Sequence, residues 1–197
     1  MRKLTILVPA HNEQDVIGDC IESLKSMKSP PDVETNLVVI LDRCTDETKQ
    51  IVRSMGVNFI EKRFRGKYVS AIAEVLSYAI GETDGDIVLK CDADVCEIPS
   101  DAIVKLLPHL NRNVKRVSSE VKTRSGKWWL DFIFWLRDLN NKITPLETQP
   151  RGAFTLFERK TYEEVGGFDK TKPTWDTALD LRLKCKGYKV KRVKDVF

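Results

Sequence analysis

The chain carries the sequence Ile-Val-Leu-Lys-Cys-Asp-Ala-Asp at residues 87–94. The first five residues are mostly apolar and favour a β-strand, and the run ends in two carboxylates separated by one residue. Alternate side chains of a strand point to the same face, so Asp92 and Asp94 should project together from its carboxyl end. Open α/β sheets bind ligands at that edge. Two carboxylates there suit Mg²⁺ or Mn²⁺, ions that commonly accompany a phosphate.

Apolar β-type runs alternate with segments of helical period on both sides of this motif. In the first half we expect strands at 4–8, 37–41, 58–60 and 87–91, and helices at 14–27, 46–55 and 68–80. Alternating units of this length favour a mostly parallel, doubly wound sheet. In the less regular second half we expect helices at 101–110, 128–143 and 177–186, and strands at 114–121, 154–157 and 188–193.

The composition indicates one domain. A chain of 197 residues, of which 42% are hydrophobic, can bury one substantial core. No Gly-, Ser- or Pro-rich linker interrupts it, so we expect a single domain over 1–197, with a nucleotide-binding half at 1–97 and an acceptor-side half at 98–197. The formal charge of +4 is too small to indicate nucleic acid as the main partner.

Cysteine usage and hydropathy predict a cytoplasmic protein. The five cysteines form no Cys-x-x-Cys pair and have no His at zinc-ligand spacing, so reduced thiols are expected. The chain begins with a strand-like run rather than a signal-peptide pattern. No apolar run reaches the ~20 residues that span a bilayer. Any contact with a membrane should therefore be peripheral, at its inner face.

Polar residues follow each predicted strand of the first half. The first strand leads into residues 9–13 (Pro-Ala-His-Asn-Glu), the second ends at Asp42, and the third enters the basic segment Arg63–Lys67. Gly66 allows a close approach to phosphate, and the dipole of the following helix attracts anions. Because these strand ends share one edge, they predict a base and ribose binder, a phosphate clamp and a metal site. Each piece alone also fits an ordinary turn, helix cap or solvated surface.

Together the motifs resemble the inverting family-two glycosyltransferases of the GT-A fold. The matching segments follow the family's order along the chain: Val8–Glu13, Asp42–Thr48, Arg65–Lys67, Asp92–Asp94, Gly152–Phe154, Val165–Asp169 and Trp175–Leu183. The resemblance implies a GT-A-type α/β nucleotide-binding fold, with a mostly parallel doubly wound sheet and an elaborated acceptor-side half. It implies transfer of a sugar, with inversion, from a uridine or guanosine diphosphate sugar to an acceptor hydroxyl or phosphate.

The resemblance also implies a role for individual residues. Pro9, Ala10, Glu13 and Asp42 would hold the base and ribose, Lys67 would approach the diphosphate, Asp92 would reach ribose or metal, and Asp94 would bind Mg²⁺ or Mn²⁺ directly. Asp176 would be the general base, as the second member of a usually acidic pair whose first position is Trp175 here. Asp180, four residues along the same helix face, is the alternative base.

The sequence indicates less about the half of the chain that would bind the acceptor. Residues 128–136 hold five aromatic side chains within nine positions, after a basic stretch. These rings fit the core of the rear half slightly better than an amphipathic surface that contacts a membrane or a lipid-linked acceptor. The basic C-terminal segment would suit the same surface.

Two other functions remain open at this stage. One is a non-catalytic sugar-nucleotide-binding protein, against which the presence of both Asp94 and Asp176 argues. The other is a haloacid-dehalogenase-like phosphatase with Asp92 as nucleophile, although that family begins near this motif and here three βα units precede it. The residues after the first strand, Pro-Ala-His-Asn-Glu, argue against a NAD-dependent dehydrogenase, because they lack the Gly-x-Gly-x-x-Gly turn.

Overall fold

The computed structural model describes residues 1–63, 68–95, 97–119, 152–194 and 196–197. Lys67, the aromatic segment 128–136 and the expected helix 128–143 lie outside these residues. The strands are β1 (Arg2–Ala10), β2 (Val33–Asp42), β3 (Asn58–Lys62), β4 (Ile87–Cys91), β5 (Val114–Ser119), β6 (Phe154–Glu158) and β7 (Lys189–Val193). The helices are α1 (Ile17–Lys25), α2 (Thr48–Ser54), α3 (Tyr68–Glu82), α4 (Ala102–Leu106), α5 (Arg159–Glu164) and α6 (Trp175–Cys185), with a 3₁₀ turn at Leu107–His109.

The described strands form one seven-stranded sheet in the order β3-β2-β1-β4-β6-β5-β7. β1 pairs in parallel with β2 and β4, β2 pairs in parallel with β3, and β5 with β7. β6 runs antiparallel to both of its neighbours, β4 and β5. The pairing of β4 with β6 carries the sheet from the first half of the chain into the second. The predicted mostly parallel α/β architecture is confirmed.

Apolar side chains fill both faces of the sheet because helices cover each side. Every residue of β4 is buried. Ile87, Leu89 and Cys91 belong to the core that β4 shares with α1 and α4, whereas Val88 belongs to the core shared with α3 and α6. Within the described ranges, no helix combines the length and apolar content needed to cross a bilayer.

Several element bounds differ from those expected, among them the starts of α1, α2 and α6, of which α6 begins at Trp175 rather than at residue 177; α5 is an additional helix. α1 begins at Ile17 rather than at residue 14, after a turn in which the Glu13 carbonyl accepts from Val16 and Ile17 N–H. α2 begins at Thr48 rather than at residue 46, because Asp46 Oδ1 accepts from Thr48 N–H at 3.1 Å and holds the preceding turn. α5 was not expected, since its sequence RKTYEE lacks an apolar period.

Gly85 lies directly before β4 and packs against β1. A Cβ atom at this position would overlap Thr5 Oγ1 and would lie 2.8 Å from Thr5 N and 2.9 Å from Ile87 O. Backbone atoms would have to shift, so Gly85→Ala should lower the free energy of unfolding by about 1–3 kcal/mol. Chemical denaturation followed by tryptophan fluorescence measures this change.

Gly81→Ala is the matched control. Gly81 lies within α3, and beyond its chain neighbours and the backbone of its own helix no described atom lies within 4 Å of its Cβ position. Alanine favours a helix over glycine, so this variant should be unchanged or more stable by up to about 1 kcal/mol. Equal stabilities of the two variants would contradict the close packing of Gly85 against β1.

Candidate active site

A cleft of about 250 Å³ opens at the carboxyl ends of β1, β2 and β4. Ala71, Ile72 and Val75 of α3 form its apolar wall. The strand ends supply the other lining residues: Pro9, Ala10, His11, Glu13, Asp42, Arg43, Asp92, Ala93 and Asp94. The cleft therefore lies at the sheet edge where the sequence placed the ligand site.

The structure brings most of the predicted site residues together. Six of them line the cleft: Pro9, Ala10, Glu13, Asp42, Asp92 and Asp94. Asp176 is not part of the lining, but it lies close enough to Asp92 for its charge to act on that carboxyl. Lys67 lies outside the described residues, so its position relative to the cleft stays a prediction.

Side-chain hydrogen bonds connect the β1–α1 and β2–α2 loops beside the cleft. Asn12 Oδ1 accepts from Thr45 N–H at 2.8 Å, and Glu13 N–H donates to Thr48 Oγ1 at 2.8 Å. Asn12 adopts φ +57°, a left-handed conformation that Asn tolerates better than most residues. The sharp turn at Asn12 and these two bonds place Glu13 in the cleft lining.

Asp42 is held by its neighbour in the sequence. Arg43 Nε donates to Asp42 Oδ1 at 3.0 Å and Arg43 Nη2 donates to Asp42 Oδ2 at 2.8 Å, which makes a two-point ion pair. His11 Nδ1 donates to the Asp42 carbonyl oxygen at 2.7 Å. Sequence reasoning assigned no role to Arg43 or His11, because both stood inside a motif interpreted through Asp42 and Glu13.

The cleft concentrates negative charge at Glu13, Asp92 and Asp94. Burial raises the pKa of the Glu13 carboxyl, and the nearby charge of Asp94 raises it further. Burial likewise raises the pKa of Asp92, with Lys90 opposing the change and Asp94 and Asp176 adding to it. Neighbouring carboxylates whose negative charges oppose the ionisation of Glu13 and Asp92 provide a favourable place for a cation.

Asp94 can supply one ligand to a divalent cation, with further ligands coming from outside the protein. Its side chain is exposed and has no hydrogen bond or ion pair to any described residue. No cluster of three or more His, Cys, Asp or Glu in the described chain is arranged to hold a metal ion without outside ligands. Mg²⁺ typically takes one or two carboxylates together with phosphate oxygens and water. The residues present therefore suit an ion that arrives with a phosphate ligand.

Lys90 is a buried cation at the floor of this site, with 4% of its side chain exposed. Its Nζ forms an ion pair with Asp92 Oδ1 and donates to the Gly152 carbonyl oxygen at 2.6 Å. The same ammonium lies 5.8 Å from the centre of the Trp175 ring. Sequence reasoning missed Lys90, although a lysine within an otherwise apolar strand is itself a signal of a buried partner.

Asp176 stands in the first turn of α6, is half-buried, and is near enough to Asp92 for its charge to act on that carboxyl. Its Oδ1 accepts from Thr177 N–H at 2.8 Å. Its Oδ2 lies 3.2 Å from the position that a Cβ atom would take at Gly152, so a larger residue there would require the carboxylate to shift by a few tenths of an ångström.

Asp180 is occupied by a buried ion pair. Arg116 Nη1 donates to Asp180 Oδ1 at 2.5 Å and to the Asp176 carbonyl oxygen at 2.9 Å, while Arg116 Nε donates to Thr155 Oγ1 at 3.1 Å. Arg116 is fully buried and Asp180 is 5% exposed. Burial raises the pKa of Asp180 and Arg116 opposes the change. Sequence reasoning gave no role to Arg116, which connects β5 to the helix that carries Asp176.

Comparison with known proteins identifies relatives along most of the chain. The poly-β-1,6-N-acetyl-D-glucosamine synthase of Staphylococcus aureus strain MSSA476 is 23% identical over 207 residues, covering 95% of this chain and 47% of the relative. The bactoprenol glucosyl transferase of Shigella phage SfX is 25% identical over 169 residues, covering 83% of this chain and 54% of the relative. The chain thus spans about half the length of these curated relatives.

A solved structure shares the fold. The mannosyltransferase of Pyrobaculum calidifontis in complex with GDP-mannose and Mn²⁺ superimposes with a TM-score of 0.79 at 24% identity, covering 100% of this chain and 56% of the other. The likeness shows that the fold is of the GT-A type, as the motifs predicted. The sequence also matches the family described as glycosyl transferase family 2 over residues 5–166. The chain belongs to glycosyl transferase family 2.

Proposed function

We propose that this chain transfers a sugar from a nucleoside diphosphate sugar to an acceptor hydroxyl or phosphate, with inversion at the anomeric carbon. The observation that carries the proposal is the meeting of Glu13, Asp42, Asp92 and Asp94 in one cleft, with Asp176 beside Asp92. A donor in the cleft would leave its sugar near a carboxylate that can receive the acceptor's proton. The membership of family two supports the same reaction class.

The strand ends would bind the nucleotide. Pro9 and Ala10 would contact the base and ribose together with Glu13, and Asp42, oriented by Arg43, would accept a hydrogen bond from the base. Lys67 would approach the diphosphate. Uridine and guanosine diphosphate sugars both suit this arrangement, and the Pyrobaculum enzyme was solved with GDP-mannose.

Asp94 would hold the Mg²⁺ or Mn²⁺ ion, and Asp92 would contact the ribose or the ion. When bound, such an ion neutralises negative charge that develops on the departing diphosphate. The Pyrobaculum structure contains Mn²⁺, which supports a divalent cation in this fold. Lys67 would add a second positive charge to the same phosphates.

Asp176 would act as the general base. A carboxylate on the opposite face of the sugar from the leaving diphosphate takes the proton of the acceptor as its oxygen attacks. A single displacement of this kind inverts the configuration and needs no second carboxylate as a nucleophile. The buried ion pair with Arg116 makes Asp180 unsuitable as the base, because its carboxylate already accepts from a guanidinium.

The acceptor would be lipid-linked, and the chain would reach it from the cytoplasmic face of a membrane. One relative is named a bactoprenol glucosyl transferase, which supports an acceptor of this class. The basic strand β7 and the aromatic segment 128–136 would suit a peripheral membrane contact. A sugar-nucleotide-binding protein without activity is the alternative, and the general-base variant described below separates it from an enzyme.

The first prediction concerns the metal. Binding of uridine or guanosine diphosphate should be strengthened by Mn²⁺, and Asp94→Ala should remove this effect, because its carboxylate is the proposed ligand. Isothermal titration with each diphosphate, with and without Mn²⁺, measures the dependence. A diphosphate at 100 times its Kd should stabilise the fold by about 2.7 kcal/mol, so thermal shift gives a second readout.

Asp19→Asn provides the control, since it removes an exposed carboxylate on α1 that does not line the cleft. This variant should keep the full effect of Mn²⁺. Equal diphosphate affinities with and without Mn²⁺ in the unaltered protein would rule out the metal assignment.

The second prediction concerns the base. Asp176→Asn keeps the size of the side chain and a hydrogen-bond acceptor but cannot take a proton, so turnover should fall by about 10²- to 10⁴-fold. Donor affinity should barely change, because the base acts on the acceptor. The measurements are sugar transfer to a competent acceptor and donor affinity by calorimetry.

Asp180→Asn gives the comparison on the same helix. It leaves Arg116 buried without its carboxylate partner, so it should lower the free energy of unfolding by about 3 kcal/mol or more. Transfer at the unaltered rate by Asp176→Asn would show that Asp176 is not the base. A collapse of donor binding in that variant would instead assign Asp176 to nucleotide binding.

A further inference from the structure

Lys90 lies on the central strand of the sheet, β4, and is only 3% exposed. Lysine is rarely buried unless its charge is paired, because moving an ammonium out of water costs several kcal/mol. The described partners of Lys90 Nζ are Asp92 Oδ1 and the Gly152 carbonyl oxygen. The environment thus neutralises Lys90 mainly through Asp92, one of the two carboxylates of the motif at residues 92–94.

This ion pair limits what Asp92 can do for a metal ion. A cation bound by Asp92 would lie close to the Lys90 ammonium, and two positive charges in a partly buried site repel strongly. Asp92 Oδ1 is already occupied by Nζ. Asp94 carries no such restriction, since it is exposed and has no ion pair to any described residue.

The remaining ligands for an ion are then few. Glu13 lies near Asp94, whose charge raises the Glu13 pKa, but the described chain contains no cluster of three metal-ligating side chains. An ion in the empty cleft would depend on Asp94 and water. Diphosphate oxygens would supply the missing negative charge when a nucleotide enters.

Lys90 also connects the cleft to the neighbourhood of the proposed base. Gly152, whose carbonyl oxygen accepts from Lys90, lies beside the Asp176 carboxylate: a Cβ atom at Gly152 would lie 3.2 Å from Asp176 Oδ2. Trp175, beside the same ammonium, is the first residue of α6 and precedes Asp176. The buried charge of Lys90 is therefore paired with Asp92, which lines the cleft, and lies beside Gly152 and Trp175, the two residues next to Asp176.

We propose that Lys90 is a positioning residue that keeps Asp92 out of the metal's coordination shell, so that metal and nucleoside diphosphate bind together rather than the metal alone. The proposal rests on the proposed function, because it concerns the metal and nucleotide of that site. Asp92 is left to hydrogen-bond the ribose through its other oxygen, and Asp94 remains the protein ligand of the ion.

The test is the affinity for Mn²⁺ alone, measured by calorimetry on the nucleotide-free protein. Lys90→Met keeps an unbranched side chain that is one atom shorter and removes its charge, which frees Asp92 beside Asp94. Mn²⁺ should then bind about tenfold or more tightly than in the unaltered protein. Lys90→Gln, which keeps a donor for Gly152, should show the same gain and provides the measurement if the Met variant does not fold.

Lys115→Met is the matched control. Lys115 lies on β5 of the same sheet, is largely buried, and pairs with Glu158 at 2.7 Å away from the cleft lining. Its replacement should leave Mn²⁺ affinity unchanged. Loss of stability cannot produce a gain of metal affinity, so a merely structural role for Lys90 would not give the expected result.

Two outcomes overturn the inference. One is a Mn²⁺ affinity in both Lys90 variants that is no greater than in the unaltered protein. The other is an equal gain in Lys115→Met, which would make the effect one of net charge. Diphosphate titrations on the unaltered protein, with and without Mn²⁺, test the proposed function separately. If Mn²⁺ strengthens diphosphate binding there but the Lys90 variants gain no Mn²⁺ affinity, only the role of Lys90 is rejected.

Discussion

The parallel pairing of β1 with β2 and β4 is the constraint on which the site depends. The three strands run in the same direction and in register, so their carboxyl ends meet at one edge of the sheet. Glu13, Asp42 and Asp94 follow those ends and are distant in sequence. The sheet brings them to one edge, and the hydrogen bonds between the β1–α1 and β2–α2 loops then place Glu13 in the cleft. The antiparallel strand β6 then continues the sheet from β4 and delivers Gly152 to the same edge.

Charge is distributed unevenly around that edge. Carboxylates line the cleft, whereas one buried ammonium, Lys90, lies beneath it and pairs with Asp92. A second buried pair, Arg116 with Asp180, supports the first turn of α6 from the other side. Breaking a buried pair leaves an uncompensated charge, so these contacts restrict how the turn that carries Asp176 can move relative to the cleft. The two pairs bear on different proposals: the first concerns the ligands of a cation, and the second concerns the choice of Asp176 over Asp180 as the proposed base.

Much of the fold could be predicted from local patterns. The bounds of β4 were predicted as observed, because an apolar run that ends in two carboxylates has few alternatives. The starts of α1 and α2 were placed too early, because the turns before them are set by the Glu13 carbonyl and the Asp46 side chain rather than by hydrophobic period. The short α5 has no amphipathic pattern to detect.

The same division applies to the site. Residue type and spacing were sufficient to select the carboxylates at strand ends, since the edge of a parallel sheet follows from the order of strands and helices. The partners of those carboxylates required the folded chain: Arg43 on Asp42, Lys90 on Asp92, and Arg116 on Asp180. Arg43 and Lys90 are near their partners in the sequence, but the pattern does not tell which way their side chains turn. Arg116 and Asp180 are 64 residues apart, and only the packing of β5 against α6 brings them together. The proposal that Asp176 rather than Asp180 is the base rests on such a contact. The two carboxylates share a helix face, and β5 brings the Arg116 guanidinium to the Asp180 carboxylate alone, because a buried side chain takes the partner that the packing of strand and helix supplies.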